Sequence, residues 1–125
     1  MKSILVDTSI LIDFLRSSKK ENTIFLKLID TKIPLKISII THTELYAGKS
    51  LWEQSKARDN LETLLEELTI IPINTSISIQ AGKMNTKLRI ALLDALIAAT
   101  ALEENMPLAT MNVKHFKKIP GLKII

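Results

Sequence analysis

The 125-residue chain has no cysteine, two histidines, three glycines and five aromatic residues. The missing cysteine excludes disulfide scaffolds, thiolate zinc sites and cysteine nucleophiles. It also agrees with a cytoplasmic location. Two histidines are too few for a multi-histidine metal centre. The glycines, Gly48, Gly82 and Gly121, stand far apart, so there is no glycine-rich phosphate loop. Scarce aromatics argue against a base-stacking platform of the single-strand-binding kind. Any nucleic acid is then expected to be read by backbone and shape. Long apolar runs are missing too. Ala95 to Leu102 is free of charge but far short of the roughly 20 residues a spanning helix needs. Asp7 and Asp13 interrupt anything resembling a signal peptide, so no membrane association is expected. What remains is ordinary globular material, 46% apolar and 24% charged. The length suits one domain over residues 1–125, with enough mass for a real core.

Acid is absent after Glu104. Residues 1–104 carry 13 basic and 13 acidic side chains, while residues 105–125 carry Lys114, Lys117, Lys118 and Lys123 and no acid. The whole formal charge of +4 therefore sits in the last segment. Such an edge attracts a polyanion through its phosphates, or is simply a solvated surface.

The hydrophobic pattern alternates short strands with helices. Strands are expected at 3–7, 35–40, 70–73 and 107–110, with a last edge strand at 122–125. Pro72 places the third strand at an edge. Helices are expected at 8–16, 21–30, from 41, over 51–68, at 75–88 and at 90–102, with a short turn or helix at 112–118. Leu61, Leu64, Leu65 and Leu68 make the 51–68 segment amphipathic. The 90–102 segment is apolar on nearly all sides and reads as a buried central helix. Alternating strands and helices imply βαβ units, hence an α/β fold with a small, mostly parallel sheet of four or five strands and helices on both faces.

Three acids fall at special places. Asp7 closes the first strand, Glu44 follows the second, and Asp94 interrupts the most apolar segment. Ligands of open α/β sheets bind beyond the carboxyl ends of the strands, where Asp7 and Glu44 project and Asp94 can join them. Each acid also has a local use. Asp7 can cap the first helix, Glu44 can complete a capping box with Thr41, and Asp94 can cap a helix starting at Ala95. Asp94 lies within Leu92-Leu93-Asp94-Ala95-Leu96-Ile97, where an unpaired carboxylate is costly. Three converging carboxylates suit a hard divalent cation such as Mg²⁺, which takes oxygen ligands and keeps several waters. Such a site activates water for displacement at phosphorus. Metal-dependent hydrolysis of a phosphodiester follows, with the basic edge holding the backbone.

Four segments in order carry a family resemblance. They are Leu5-Val6-Asp7-Thr8-Ser9-Ile10-Leu11-Ile12-Asp13, Ile39-Ile40-Thr41-His42-Thr43-Glu44-Leu45-Tyr46-Ala47-Gly48, Asp94-Ala95-Leu96-Ile97-Ala98-Ala99-Thr100-Ala101, and Leu108-Ala109-Thr110-Met111-Asn112-Val113-Lys114-His115-Phe116 running into Ile119-Pro120-Gly121-Leu122. Together they resemble PIN-domain proteins, and more narrowly the VapC-type toxins of toxin–antitoxin systems. The resemblance implies a PIN-like fold and a Mg²⁺- or Mn²⁺-dependent endoribonuclease. It implies Asp7, Glu44 and Asp94 as catalytic acids, with Asp7 and Asp94 holding the metal. It also implies a homodimer, a cognate antitoxin that inserts a segment near the acids, and structured RNA, often tRNA or rRNA, as substrate. Thr8 and Ser9 are candidate supports for metal-bound water or caps of the first helix, and Lys114, Lys117 and Lys118 are candidate RNA contacts.

Two positions depart from the family pattern. Many PIN domains carry a fourth acid near Asn112 or His115. Here Asn112 offers an amide oxygen to orient water, or caps the short helix after the strand. His115 suits packing or a phosphate contact better than metal ligation. No glycine-containing loop precedes Asp94. Asp13 is expected as a surface charge, and Trp52 and Tyr46 as core or partly exposed packed aromatics, with a dimer or antitoxin interface as the alternative. The other function class in view is a catalytically impaired module that binds RNA or an antitoxin without cleavage. A haloacid-dehalogenase-like phosphatase is disfavoured because Ser9 stands where its second aspartate belongs. A phospho-receiver is disfavoured because Thr8, not an acid, follows Asp7.

Overall fold

A computed structural model describes residues 2–125. Its elements run β1 (Ile4–Val6), α1 (Thr8–Arg16), α2 (Ile24–Asp30), β2 (Leu35–Ser38), α3 (Ile39–Tyr46), α4 (Ser55–Leu65), β3 (Thr69–Ile71), α5 (Thr75–Leu88), α6 (Leu92–Glu103), β4 (Leu108–Ala109) and α7 (Val113–Phe116). Short 3-10 turns occupy Lys20–Asn22 and Lys49–Trp52. The four strands are all parallel in the order β3-β2-β1-β4. β3 is an edge strand as expected, but it ends at Ile71, so Pro72 follows the strand instead of lying within it. The expected fifth strand reduces to a single parallel bridge, Leu108 to Ile124.

Strand alternation sets up two cores. Ile4 and Val6 face one way, with Ile10, Leu11, Phe25, Leu45, Leu61 and Leu64 from α1–α4. Leu5 faces the other, with Ile77, Ala81 and Met84 of α5, Ala95, Ala98 and Ala99 of α6, and Phe116 of α7. The topology explains the division. The first two crossovers travel from β1 outward to β3, and the third returns past β1 to β4. Right-handed crossovers running in opposite directions cover opposite faces. The chain therefore reverses its order beside β1, at the switch point where α/β sheets leave a crevice.

Local chemistry moves several boundaries. β2 ends at Ser38 because the Ser38 hydroxyl caps α3, accepting from Ile40 N at 3.0 Å. Ile39 and Ile40 are therefore helical, despite their β-branched side chains. Thr41 lies inside this helix and cannot form the expected capping box with Glu44. The expected 51–68 helix is divided by Lys49–Trp52 and begins only at Ser55. α6 is buried along most of its length, but Leu92 and Leu93 in its first turn are exposed. No helix among the described residues is long and apolar enough to cross a membrane.

The link from α5 to α6 is short. Arg89 caps α5 in the left-handed conformation, with φ 56° and ψ 41°. Asn85 Nδ2 donates to Ile90 O at 2.8 Å and holds the turn. A left-handed side chain costs energy that glycine does not incur. Arg89→Gly is therefore expected to raise stability by about 0.5–1 kcal/mol, read as a higher urea midpoint at unchanged m-value.

Candidate active site

Asp7 is the hinge between β1 and α1. It occupies the N-cap position, φ −75° and ψ 154°, yet its side chain makes no capping bond. The capping role open to it from sequence is not taken. Oδ2 instead accepts from Ser9 Oγ at 2.8 Å and Thr110 Oγ1 at 2.7 Å. Both donors are tied in turn. Ser9 Oγ accepts from Met111 N at 3.1 Å, and Thr110 Oγ1 accepts from Asn112 N at 2.9 Å. The backbone after β4 thus grips the carboxylate through two hydroxyls. Asp7 is only 3% exposed, and both bonds fall on Oδ2 rather than Oδ1.

Glu44 reaches the same place from α3. Thr8 Oγ1 donates to Glu44 Oε1 at 2.7 Å, and the Thr8 and Thr41 hydroxyl oxygens lie 3.0 Å apart. Thr41 therefore helps to seat Thr8, the donor to Glu44, and caps nothing. Asp94 lies in the first turn of α6, whose N-cap is Ala91, so its expected capping role is also not taken. It is 27% exposed, and its Oδ2 is 3.4 Å from Nδ1 of His115, which is 59% exposed. Burial, and then the negative charge of Asp7, push the Asp94 carboxyl up, while His115 pulls it partly back.

Asp7, Thr8, Ser9, Glu44, Asp94 and Asn112 all line one open cleft of about 540 Å³. The Asn112 side chain makes no capping bond to α7. Asp13 and Arg16 also line the cleft and were not expected there. Their signal was helical spacing: on α1 they follow Ser9 and Ile12 by four residues, which turns all of them to one side. Lys114, Lys117 and Lys118 are exposed on and just after α7 but do not line the cleft. Lys123 is separate from them. It lies with Lys2 at a hollow near the amino ends of the strands, so the basic C-terminal segment is not one continuous edge.

The donor set is oxygen only, which suits a hard divalent cation. Among the described residues, no three acidic or imidazole side chains are grouped to ligate one ion. Asp7 raises the cost of charge on Asp94, and a divalent cation held by these two carboxylates would relieve that repulsion.

Comparison with known proteins agrees with this architecture. Residues 4–122 match the PIN domain. The chain belongs to the PIN-domain family. Within that family it is 35% identical to Ribonuclease VapC1 of Methanocaldococcus jannaschii, over 97% of this chain and 85% of that protein. It is 33% identical to Ribonuclease VapC10 of Mycobacterium tuberculosis, over 96% and 90%. Among solved structures, it superposes on VapBC2 from Rickettsia felis bound to a promoter DNA fragment with a TM-score of 0.79, at 26% identity over 98% of this chain and 97% of that one. A toxin–antitoxin complex from Klebsiella pneumoniae gives 0.77, at 28% identity over 98% and 95%.

The raised Asp94 carboxyl has a stability consequence. A folded-state pKa above the unfolded value stabilises the fold below the unfolded pKa, and this is lost as pH rises through the folded pKa. Asn mimics the protonated state. With a chelator present, Asp94→Asn is expected to raise Tm near neutral pH. The gain should close as the pH falls into the carboxylate range. Thermal melts across pH check both the sign and the closing.

Proposed function

We propose that this chain is a VapC-type toxin, an endoribonuclease that hydrolyses RNA phosphodiesters with a divalent cation. The observation that carries the reading is the convergence of Asp7, Glu44 and Asp94 on one cleft at the switch point of a PIN fold. Relatives named Ribonuclease VapC, matched over nearly the whole chain, support it.

Asp7 and Asp94 would hold the ion, Mg²⁺ or Mn²⁺. When bound, it supplies a Lewis acid for the phosphoryl oxygens and lowers the pKa of coordinated water. The protein's part is positioning. Ser9 and Thr110 fix Asp7 through Oδ2, leaving Oδ1 for the cleft. Thr8 orients Glu44, whose carboxylate accepts a proton from the attacking water. Asn112 offers an amide group where many relatives carry an acid. Arg16, the one cation among the lining residues, holds a phosphate of the substrate. No covalent enzyme intermediate is involved.

The remaining surfaces suit partners. Lys114, Lys117 and Lys118 flank α7, which packs on α6 beside Asp94, and would hold the backbone of a tRNA or rRNA. A second cavity shares Ile12, Arg16 and Glu44 with the cleft and is otherwise lined largely by apolar groups, including Leu15, Leu45 and Leu51. It would receive a segment of the cognate antitoxin. Leu92, Leu93, Met111 and Val113 are exposed around Asp94 and after β4, an apolar rim suited to a homodimer. The RNA substrate places its action in the cytoplasm.

Purified protein is expected to cut RNA with Mg²⁺ or Mn²⁺ and to stop with EDTA. Asp7→Asn and Asp94→Asn are expected to remain folded and lose at least about a hundredfold in rate. Equal cutting by wild type and variants would identify a contaminant. Binding without cutting by the wild type would favour the non-catalytic module. Replacing Lys114, Lys117 and Lys118 together by Gln is expected to lower the slope of log binding constant against log salt by about 0.7 per lost phosphate contact. An unchanged slope would remove these lysines from the RNA surface.

A further inference from the structure

Trp52 is the single tryptophan of the chain and is 62% exposed. The structure leaves much of its ring in solvent while it packs beside Tyr46 and Arg58. It ends the 3-10 turn Lys49–Trp52 between α3 and α4. Its Nε1 donates to Tyr46 O at 2.7 Å. The only polar atom of the indole is thus already used, and the ring is held in one orientation. What it offers to solvent is an aromatic face. Tyr46 lies 6.1 Å away between ring centroids, tilted by 38°, and His42 lies 4.9 Å from Tyr46 one turn earlier on α3. The Arg58 guanidinium stands 5.9 Å from the indole centroid and donates to Leu51 O at 3.1 Å, so the turn is braced from both sides.

The segment that carries Trp52 borders the cavity next to the acid cleft. Gly48, Ser50 and Leu51, on the segment that carries Trp52, line the second cavity together with Arg16 and Glu44. Arg16 and Glu44 also line the cleft itself. Lys49 opens the turn, and Lys56 and Arg58 lie in the first turn of α4; Glu53 is the one acid between Lys49 and Arg58. A pinned, exposed ring with the Arg58 guanidinium beside it suits an unpaired base, which stacks on aromatic faces while a cation holds an adjoining phosphate. The sparse aromatic content that argued against such a platform says how many rings there are. It does not say that two of the five, with a histidine, are gathered at one place.

We infer that Trp52, backed by the half-buried Tyr46, forms a stacking subsite for an unpaired nucleotide of the RNA away from the bond that is cut. The inference rests on the proposed RNA substrate and adds a determinant of which RNA is chosen. Such a subsite favours a single-stranded loop over a continuous duplex, because a stacked base must first leave its own helix.

The lone tryptophan is its own probe. In chelator, so that nothing is cut, the protein is titrated with a single-stranded oligoadenylate of about six nucleotides, a length comparable to one small single-strand site. An abasic ribose-phosphate chain of equal length is the control. Quenching of Trp52 fluorescence by the oligoadenylate and not by the abasic chain is expected. By anisotropy of labelled oligoadenylate, Trp52→Ala is expected to weaken binding about 5- to 100-fold, and Trp52→Phe much less. In cleavage of an RNA loop, Trp52→Ala should raise KM and leave kcat near the wild-type value. Matching melting curves will show that the variants are folded. Fluorescence blind to RNA, with equal binding by all three proteins, overturns the subsite. So does a Trp52→Ala protein that binds RNA normally but changes oligomeric state, which would assign the ring to a protein contact. If the wild type cuts RNA and Trp52→Ala matches its KM, the subsite fails while the nuclease stands. If base-dependent quenching is seen without cutting, the nuclease reading fails while the subsite stands.

Discussion

A carboxylate almost sealed from solvent must find donors or give up its charge. Asp7 finds them in Ser9 and Thr110, and the rest of the site is arranged around that choice. Ser9 brings the start of α1, and Thr110 brings the end of β4. Each hydroxyl passes the demand on to a backbone N–H of the following loop, at Met111 and Asn112. The two sides of the switch point are thereby joined through one oxygen atom. The fold supplies the crevice, and these four hydrogen bonds fix its floor.

Charge within that crevice is balanced against stability. Asp94 is held close enough to Asp7 to feel its repulsion and is partly buried as well. His115 offers only an exposed and rather long contact in return. Nothing in the core needs this arrangement. α6 already has Ala95, Ala98, Ala99 and Ala101 to pack against α5 and the sheet. A neutral residue at position 94 would remove that repulsion.

Much of this was legible from the chain alone, for physical reasons. The strands β1 and β4 are short, fully buried apolar runs, and parallel sheets covered on both faces demand such runs. Asp7 stood out because it closes a buried strand, Glu44 because it follows the second strand, and Asp94 because it interrupts the most apolar segment. Capping was harder to assign. Asp7 sits at an N-cap position without capping, and Thr41 and Glu44 have capping-box spacing without forming the box. In each case a hydroxyl distant in sequence competes for the same side chain, and local spacing cannot register it. Ser38 ended β2 early by the opposite effect, since a local cap overrode the strand preference of Ile39 and Ile40. Asp13 and Arg16 were hidden because a helix face shows which residues share a side, not which side meets the cleft. The scattering of Lys114 and Lys123 to different ends of the sheet follows from the return of the chain past β4, which charge counting ignores.

The grip on Asp7 also has an order in time. Asp7 and its Thr110 donor are 103 residues apart, and Ser9 and Met111 are 102 apart. A chain emerging from the ribosome presents its N-terminal part first. It exposes Asp7 and Glu44 long before β4 exists to close the floor beneath them. The α1–α4 core draws nearly all its buried residues from the first part of the chain, with Ala109 of β4 added last. The pocket cannot form early, because Thr110, Met111 and Asn112 complete it. An unfinished chain therefore carries the early acids without a site, and competence comes only with the last strand.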